Sequence, residues 1–156
     1  MREIVSQASV RGVDLPTATA IIEHALKVAR AKKLRPMTIG VFDAGGDLVA
    51  YKREDGTGIR RYDVVQGKAF GALVMNRPSR EIGNLAKQAP AFIQSLMAAT
   101  QGRMVPTPGG VLIKDSAGRI VGAVGSSGDD PDEDEAIAIE AVKAAGLVPE
   151  PADPAG

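Results

Sequence analysis

The chain has 156 residues, with 19 basic and 19 acidic side chains, so its formal net charge at pH 7 is zero. A balanced charge provides no field that recruits nucleic acid or an anionic membrane. The absence of cysteine excludes disulfides, thiolate nucleophiles and cysteine metal sites. No apolar run reaches the roughly 20 residues of a membrane span and no signal-peptide pattern opens the chain, so we expect a soluble cytoplasmic protein without nucleic-acid or membrane partners.

The length is sufficient for one domain with its own core. We expect this domain at residues 1–148, followed by a disordered tail at 149–156 that is rich in proline. Within the domain, residues 1–13 form a weak lead-in, interpreted as a short strand or a docking arm.

The N-terminal half predicts a helix followed by a β-hairpin. Asp14 precedes a proline in the first helical turn, and apolar residues recur at helical spacing until about Lys33. Residues 37–55 have the pattern of strand, turn and strand, with a four-residue turn from Asp43 to Gly46. Three further helices are predicted at residues 62–75, 78–87 and 90–100.

The C-terminal half repeats this design. Residues 109–145 predict strand, turn, strand and helix, with the turn at 115–118. Gly122 and Gly125 weaken the second strand, so they indicate close approach of another backbone or a ligand. Asp130 before a proline predicts the N-cap of the last helix. Two hairpins of one design indicate an α/β (α+β) fold, with a central antiparallel sheet and helices packed on it.

The acidic run at 129–135 has two interpretations. Its carboxylates could hold a hard cation at the surface. The stronger interpretation is that they cap the last helix, complement its dipole and are otherwise solvated. Their negative charge also argues against a phosphate site in the glycine-containing loop at 126–128.

His24 is the single histidine and therefore the strongest candidate ligand for haem iron. On the first helix it lies beside Ile21 and Val28, at the edge of the apolar stripe. A structural role in the core or at an interface is the more common role for a lone histidine, which lacks a second protein ligand. Zinc sites with three or four protein ligands are excluded, and we assign no metal site.

Charged residues also gather around the glycine loop that follows the first hairpin. They could clamp a carboxylate or transfer protons, and they could equally form structural ion pairs. The group comprises Arg53, Asp55, Arg60, Arg61 and Lys68.

Glycines form two further candidate sites. Thr107, Gly109 and Gly110 lie where a ligand could approach bare backbone, although an ordinary start of a strand explains them equally well. Gly67 and Gly71 are four residues apart on a predicted helix, which favours close packing of another segment or subunit.

In order and spacing, these stretches resemble the GlcG/HbpS family of haem-binding and haem-degrading-type proteins. That family also includes the C-terminal domain of a propanediol-utilisation corrinoid adenosyltransferase. The resemblance extends over residues 14–146. The matching stretches are IGVFDAGGDLVAYKREDG at 39–56, PGGVLI at 108–113, GRIVGAVGSSG at 118–128 and DEDEAIA at 132–138.

The resemblance implies a profilin-like fold, homodimers that build octamers, and a role in small-molecule catabolism. It favours a small-ligand-binding protein that holds haem or a related tetrapyrrole at a subunit interface. The candidate cofactor-binding residues are His24, Arg53, Thr107, Gly109 and Gly110. The alternative is an isomerase or lyase of small organic acids or carbonyl compounds, with acid–base chemistry at Arg53, Asp55 and Lys68.

Overall fold

The computed structural model describes residues 12–155. The strand or docking arm expected at residues 1–13 therefore lies almost entirely outside the described residues. The elements in chain order are α1 (Leu15–Ala31), β1 (Thr38–Asp43), β2 (Leu48–Arg53), α2 (Arg61–Met75), α3 (Ser79–Gln88), α4 (Pro90–Ala99), β3 (Gly110–Lys114), β4 (Ile120–Ser127), α5 (Pro131–Ala144) and β5 (Val148–Glu150).

The five strands form one antiparallel sheet in the order β2-β1-β4-β3-β5. Both predicted hairpins are present, and each turn is closed by a backbone bond of 3.0 Å, from Gly46 N to Asp43 O and from Gly118 N to Asp115 O. The two aspartates also accept backbone N–H groups inside their turns. The predicted α+β fold with a central antiparallel sheet is confirmed.

Helices cover both faces of the sheet because apolar side chains alternate between the faces along each inner strand. In β1, Ile39 and Val41 pack in the core with α1 and α5, whereas Phe42 packs with α2 on the opposite face. α3 and α4 lie beyond α2, around a smaller apolar cluster that contains Ile82 and Ile93. Among residues 12–155, no helix is both long enough and apolar enough to cross a membrane.

The tail predicted at 149–156 needs a correction at its start. Pro149 and Glu150 belong to β5, which pairs with β3 and continues the sheet by one strand. Pro149 is buried, and Lys143 Nζ lies 3.0 Å from Asp153 Oδ1, so an ion pair also ties the following residues to α5. The domain therefore extends beyond the predicted boundary at residue 148.

The two predicted aspartate caps have different outcomes. Asp14 caps α1, because its side chain accepts a hydrogen bond from Thr17 N at 2.9 Å. Asp130 is the N-cap residue of α5, as predicted, but its side chain makes no cap hydrogen bond. Its carboxylate lies 3.5 Å from the Arg35 guanidinium instead.

Close backbone approach explains three of the glycines. A Cβ on Gly122 would overlap the carbonyl oxygen of Phe42, and one on Gly125 would overlap that of Val65. Both positions therefore serve internal packing and leave no room for a ligand. In α2, a Cβ on Gly67 would lie 2.6 Å from Arg103 O and 2.5 Å from a methyl group of Val105. The segment before β3 thus packs directly on the α2 backbone.

The close contact at Gly67 predicts that alanine substitutions at two glycines of α2 have different effects on stability. We expect Gly67→Ala to lower the free energy of unfolding by about 1–3 kcal/mol, because the new methyl group overpacks against a backbone carbonyl. Gly71→Ala is the matched control, since its nearest contacts would lie at 3.6 Å. Alanine favours helix over glycine, so we expect this control to be neutral or stabilised. Urea unfolding measures both, and equal effects would contradict the packing.

Candidate functional site

One end of the sheet brings together several predicted site residues. Arg53 ends β2 and pairs with Thr38, which in turn pairs with Ser127 at the end of β4. Gly110 begins β3 at the same end and pairs with Gly125. α2 and α5 both begin close to this end, since they follow β2 and β4 in the chain. We call this region the β4 end of the sheet.

A buried ion pair lies behind the β4 end. Lys68 of α2 is only 2% exposed, and its Nζ donates to Ser126 O and to Asp134 Oδ2, both at 2.9 Å. The other oxygen of Asp134 accepts the backbone N–H of Asp129 at 2.9 Å. One lysine therefore connects α2, the end of β4 and the first turn of α5.

Desolvation by burial has the largest influence on the pKa values of this pair. It lowers the pKa of Lys68, while the attraction to Asp134 opposes that shift. It raises the pKa of Asp134, while Lys68 and the backbone N–H groups of residues 128 and 129 oppose that shift. The ion pair and its hydrogen bonds compensate for the desolvation of both charges. The arrangement is that of an internal structural link.

The group predicted around the first glycine loop is divided by burial. Lys68 is buried, whereas Arg53 and Asp55 are exposed. Arg61, another member of the group, donates from Nη1 to Ser127 Oγ at 3.1 Å, and its charge lowers the pKa of Lys68. The three proposed catalytic residues thus share one end of the sheet, with Lys68 buried and the other two exposed.

The bare backbone expected to admit a ligand is filled by the protein. A Cβ on Gly109 would lie 2.5 Å from Ser126 O and 2.8 Å from Lys68 Nζ, and one on Gly110 would overlap Lys68 O. Gly110 N donates to the buried Ser79 hydroxyl at 2.7 Å. Gly109 and Gly110 therefore allow Lys68 to pass, and they are not available as ligand contacts. Thr107, in contrast, is exposed.

Thr107 lies in a surface cleft of about 200 Å³. One wall is a face of α3, the opposite wall is the segment that precedes β3, and the first residue of α5 completes the lining. We call it the α3 cleft. Its lining residues are Arg80, Gly83, Asn84, Lys87, Pro106, Thr107, Pro108 and Pro131.

Arg80 connects the α3 cleft to α5. Its Nε donates to Glu135 Oε1 at 2.8 Å, and its Nη2 donates to Asp132 Oδ1 at 2.5 Å. Glu135 is fully buried, and burial raises the pKa of its carboxyl group. Its second oxygen has no hydrogen-bond partner among the described residues. The acidic run is therefore not simply solvated, because Asp134 and Glu135 are internal ion-pair partners.

His24 lies away from both features. Its side chain is 36% exposed, and Nε2 lies 3.9 Å from Glu140 Oε1 of α5. Glu140 is in the second half of α5, whereas the α3 cleft is lined by Pro131 at the start of that helix, so the structure separates the imidazole from the cleft. Within residues 12–155, no group of three or more His, Asp or Glu side chains is arranged to hold a metal ion.

Sequence reasoning missed Asp134, Arg80 and Lys87. The spacing of α5 contained a signal, because Asp134 precedes Ile137, Ala138 and Ala141 by three, four and seven residues and shares their buried face. Similarly, Arg80, Gly83, Asn84 and Lys87 follow the same spacing on α3 and form one face of that helix. Helical periodicity in the charged residues was the available indicator.

The fold and the site define an α+β domain with an antiparallel sheet and a surface cleft, lined by two cations, between α3 and the segment that precedes β3. A family model described as haem degrading protein HbpS-like matches residues 13–143. The chain belongs to this HbpS-like family, which confirms the resemblance noted from the sequence.

The chain is also similar to individual proteins. The chain is 29% identical over 127 residues to an uncharacterised 15.0 kDa protein from the dhaT-dhaS intergenic region of Citrobacter freundii, covering 78% of this chain and 88% of that protein. A solved haem complex of PduOC matches with a TM-score of 0.78 and 21% identity, covering 87% of this chain and 96% of that one. A double mutant of Streptomyces reticuli HbpS gives 0.72 and 26%, covering 92% of each chain.

The buried ion pair makes a prediction about stability. We expect Lys68→Met or Asp134→Asn alone to lower the free energy of unfolding by about 3–5 kcal/mol, because each leaves a buried group without its charged partner. The double variant removes both charges, and its asparagine retains an acceptor for Asp129 N. Its loss should therefore be smaller than the sum of the two single losses.

Urea unfolding of the four proteins gives this coupling energy. Lys32→Met, which breaks the exposed pair with Glu133, is the control and should change stability little. Additive losses in the double variant would contradict the assignment of Lys68 and Asp134 as one structural unit.

The lowered pKa of Asp129 predicts that the stability of the fold depends on pH in the acid range. Hydrogen bonds from the backbone N–H groups of Arg35 and Asp130 lower its pKa from 3.8 to about 2. Because the folded pKa lies below the ordinary value, the ionised carboxylate stabilises the fold above 3.8, and this contribution disappears as the pH falls towards 2. The stability difference between wild type and Asp129→Asn should therefore shrink across this window. A constant difference in urea unfolding at each pH would refute this.

Proposed function

We propose that the protein binds haem or a closely related tetrapyrrole, with an edge of the macrocycle in the α3 cleft. Membership of the HbpS-like family and the similarity to a solved haem complex support a haem-binding function. The observation that carries the choice of site is the lining of the cleft. It combines apolar proline rings with the cations Arg80 and Lys87 and the hydroxyl group of Thr107.

These residues suit haem in three respects. The rings of Pro106, Pro108 and Pro131 offer apolar contact to a flat macrocycle. Lys87 offers positive charge to its propionates, and Arg80 offers the N–H donors that its two carboxylate partners leave free. The exposed hydroxyl group of Thr107 offers a polar contact beside these cations. When bound, haem would supply an iron centre for ligand binding or redox chemistry, and the protein would provide orientation and partial exclusion of water.

The size of the cleft supports a shared site. Its volume of about 200 Å³ is below the roughly 300–1,000 Å³ typical of pockets that enclose a small ligand. One copy of the chain would therefore cover an edge of the macrocycle and leave the remainder exposed. A second copy of this protein is the partner we propose for that exposed part, in line with the predicted homodimer that builds to an octamer.

The proposed enzymatic alternative has less support. Lys68 has the lowered pKa that a catalytic lysine uses, but it is enclosed and bonded to Asp134. It lines none of the α3 cleft, the neighbouring cleft between α2 and the 101–105 segment, or the groove beside α5. An isomerase or lyase would need a substrate to reach this group. Acid–base catalysis by Arg53, Asp55 and Lys68 is thus the weaker proposal, and a cytoplasmic location suits either one.

The decisive test is titration of haem into the purified apoprotein, followed by absorbance and by sizing. We expect saturable binding with a shifted Soret band. Thr107→Val keeps the shape of the side chain and removes its hydroxyl, so binding should weaken or the spectrum should change. His24→Ala serves as the control, because His24 lies away from the α3 cleft and its substitution should leave binding unchanged.

Two outcomes would contradict parts of the proposal. Loss of the Soret shift in His24→Ala, with Thr107→Val unaffected, would indicate that haem binds beside α1 and α5 and not in the α3 cleft. Absence of saturable binding in the wild-type protein would refute haem binding altogether. A screen of small hydroxy and keto acids for turnover would then test the enzymatic alternative.

A further inference from the structure

The chemistry of the α3 cleft can be specified further from the helix that forms its wall. α3 is strongly amphipathic: Ile82 and Leu85 face the apolar cluster beneath it, whereas Arg80, Asn84 and Lys87 face the cleft. Arg80 and Lys87 are seven residues apart, so both cations project from one side of the helix about two turns apart. Asn84 lies between them and adds amide donors.

Gly83 brings a second wall close to this face. A Cβ at Gly83 would lie 2.7 Å from Pro106 O, so only glycine lets the segment before β3 rest on the helix at this point. Thr107 follows directly and presents an exposed hydroxyl on the opposite wall. Donors therefore converge on the cleft from two separate segments of the chain.

The two cations differ in how they are held. Arg80 is fixed by Glu135 and Asp132, which use its Nε and one terminal nitrogen. Its Nη1 group makes no bond to another described residue. Lys87 is exposed and makes no ion pair with any of residues 12–155, although most other lysines of the chain are paired with carboxylates. Arg80 thus faces the cleft with its charge already paired, whereas Lys87 offers an uncommitted positive charge.

We propose that this face of α3 is a carboxylate-binding subsite, in which Lys87 and Asn84 bind the anion together with Thr107 and the free Nη1 group of Arg80. Among the described residues, no acidic side chain lines the cleft itself, and Asp132 and Glu135 occupy only two of the nitrogens of Arg80. Charge-assisted hydrogen bonds from such groups are the strong ones in recognition of an anion. The carboxylate has two possible sources, the propionates of haem and a free small organic acid. For the propionates, the assignment rests on the proposed function.

The first experiment compares haem with its dimethyl ester, which has the same macrocycle and no propionate charge. Lys87→Gln should weaken haem binding about tenfold, as expected for loss of a charge-assisted hydrogen bond, and should leave binding of the ester unchanged. Lys27→Gln is the matched control, because Lys27 is also an exposed helical lysine without an ion pair among the described residues. It should bind both compounds as the wild type does.

The second experiment tests free acids by titrating citrate into the apoprotein and following backbone amide resonances. We expect saturable shifts at Asn84, Lys87 and Thr107 that Lys87→Gln abolishes. If haem binds and Lys87→Gln changes neither haem nor citrate binding, the subsite is overturned while the proposed function stands. If citrate binds through Lys87 and haem does not bind, the subsite stands and the haem function fails. If neither binds, both are overturned.

Discussion

The ion pair between Lys68 and Asp134 is the constraint on which the arrangement of this molecule depends. It joins the middle of α2 to the first turn of α5 across the end of β4, in a region without access to water. An unpaired charge at this depth is strongly unfavourable, so the two helices can adopt only positions that keep the pair intact. The bare backbone of Gly109 and Gly110 is the space through which the lysine passes.

The surface cleft follows from that constraint. Once the first turn of α5 is fixed by Asp134, Asp132 and Glu135 are fixed with it, and they hold the Arg80 guanidinium of α3. α3 in turn supports the segment at 106–108 through the contact at Gly83. A buried charge pair therefore positions the cations that line the surface cleft. The buried lysine connects elements of the fold, and the exposed cations are the ones for which we propose recognition of an anion.

The fold was readable from the sequence because its signals are local. The Asp-x-x-Gly turns, the alternating strands and the helix start signals each lie within a few residues, and short-range chemistry determines them. The ion pairs are not local: Lys68 and Asp134 are 66 residues apart, and Arg80 and Glu135 are 55 residues apart. A run of acidic residues has the same composition whether it is solvated or buried. Only the position of Asp134 on the same face of the helix as Ile137 and Ala141 indicated that its side chain is buried.

The three residues of β5 have a consequence for the handling of this protein. β3 is an apolar strand, and β5 covers the row of backbone donors and acceptors along its outer edge. A chain that ended at Leu147 would leave this edge open to pairing with strands of other molecules, which is a common route to aggregation. The short strand thus acts as a protective cap, and affinity tags or fusion partners are best attached beyond it. The opposite edge, β2, carries its own protection in the charged side chains of Lys52 and Arg53.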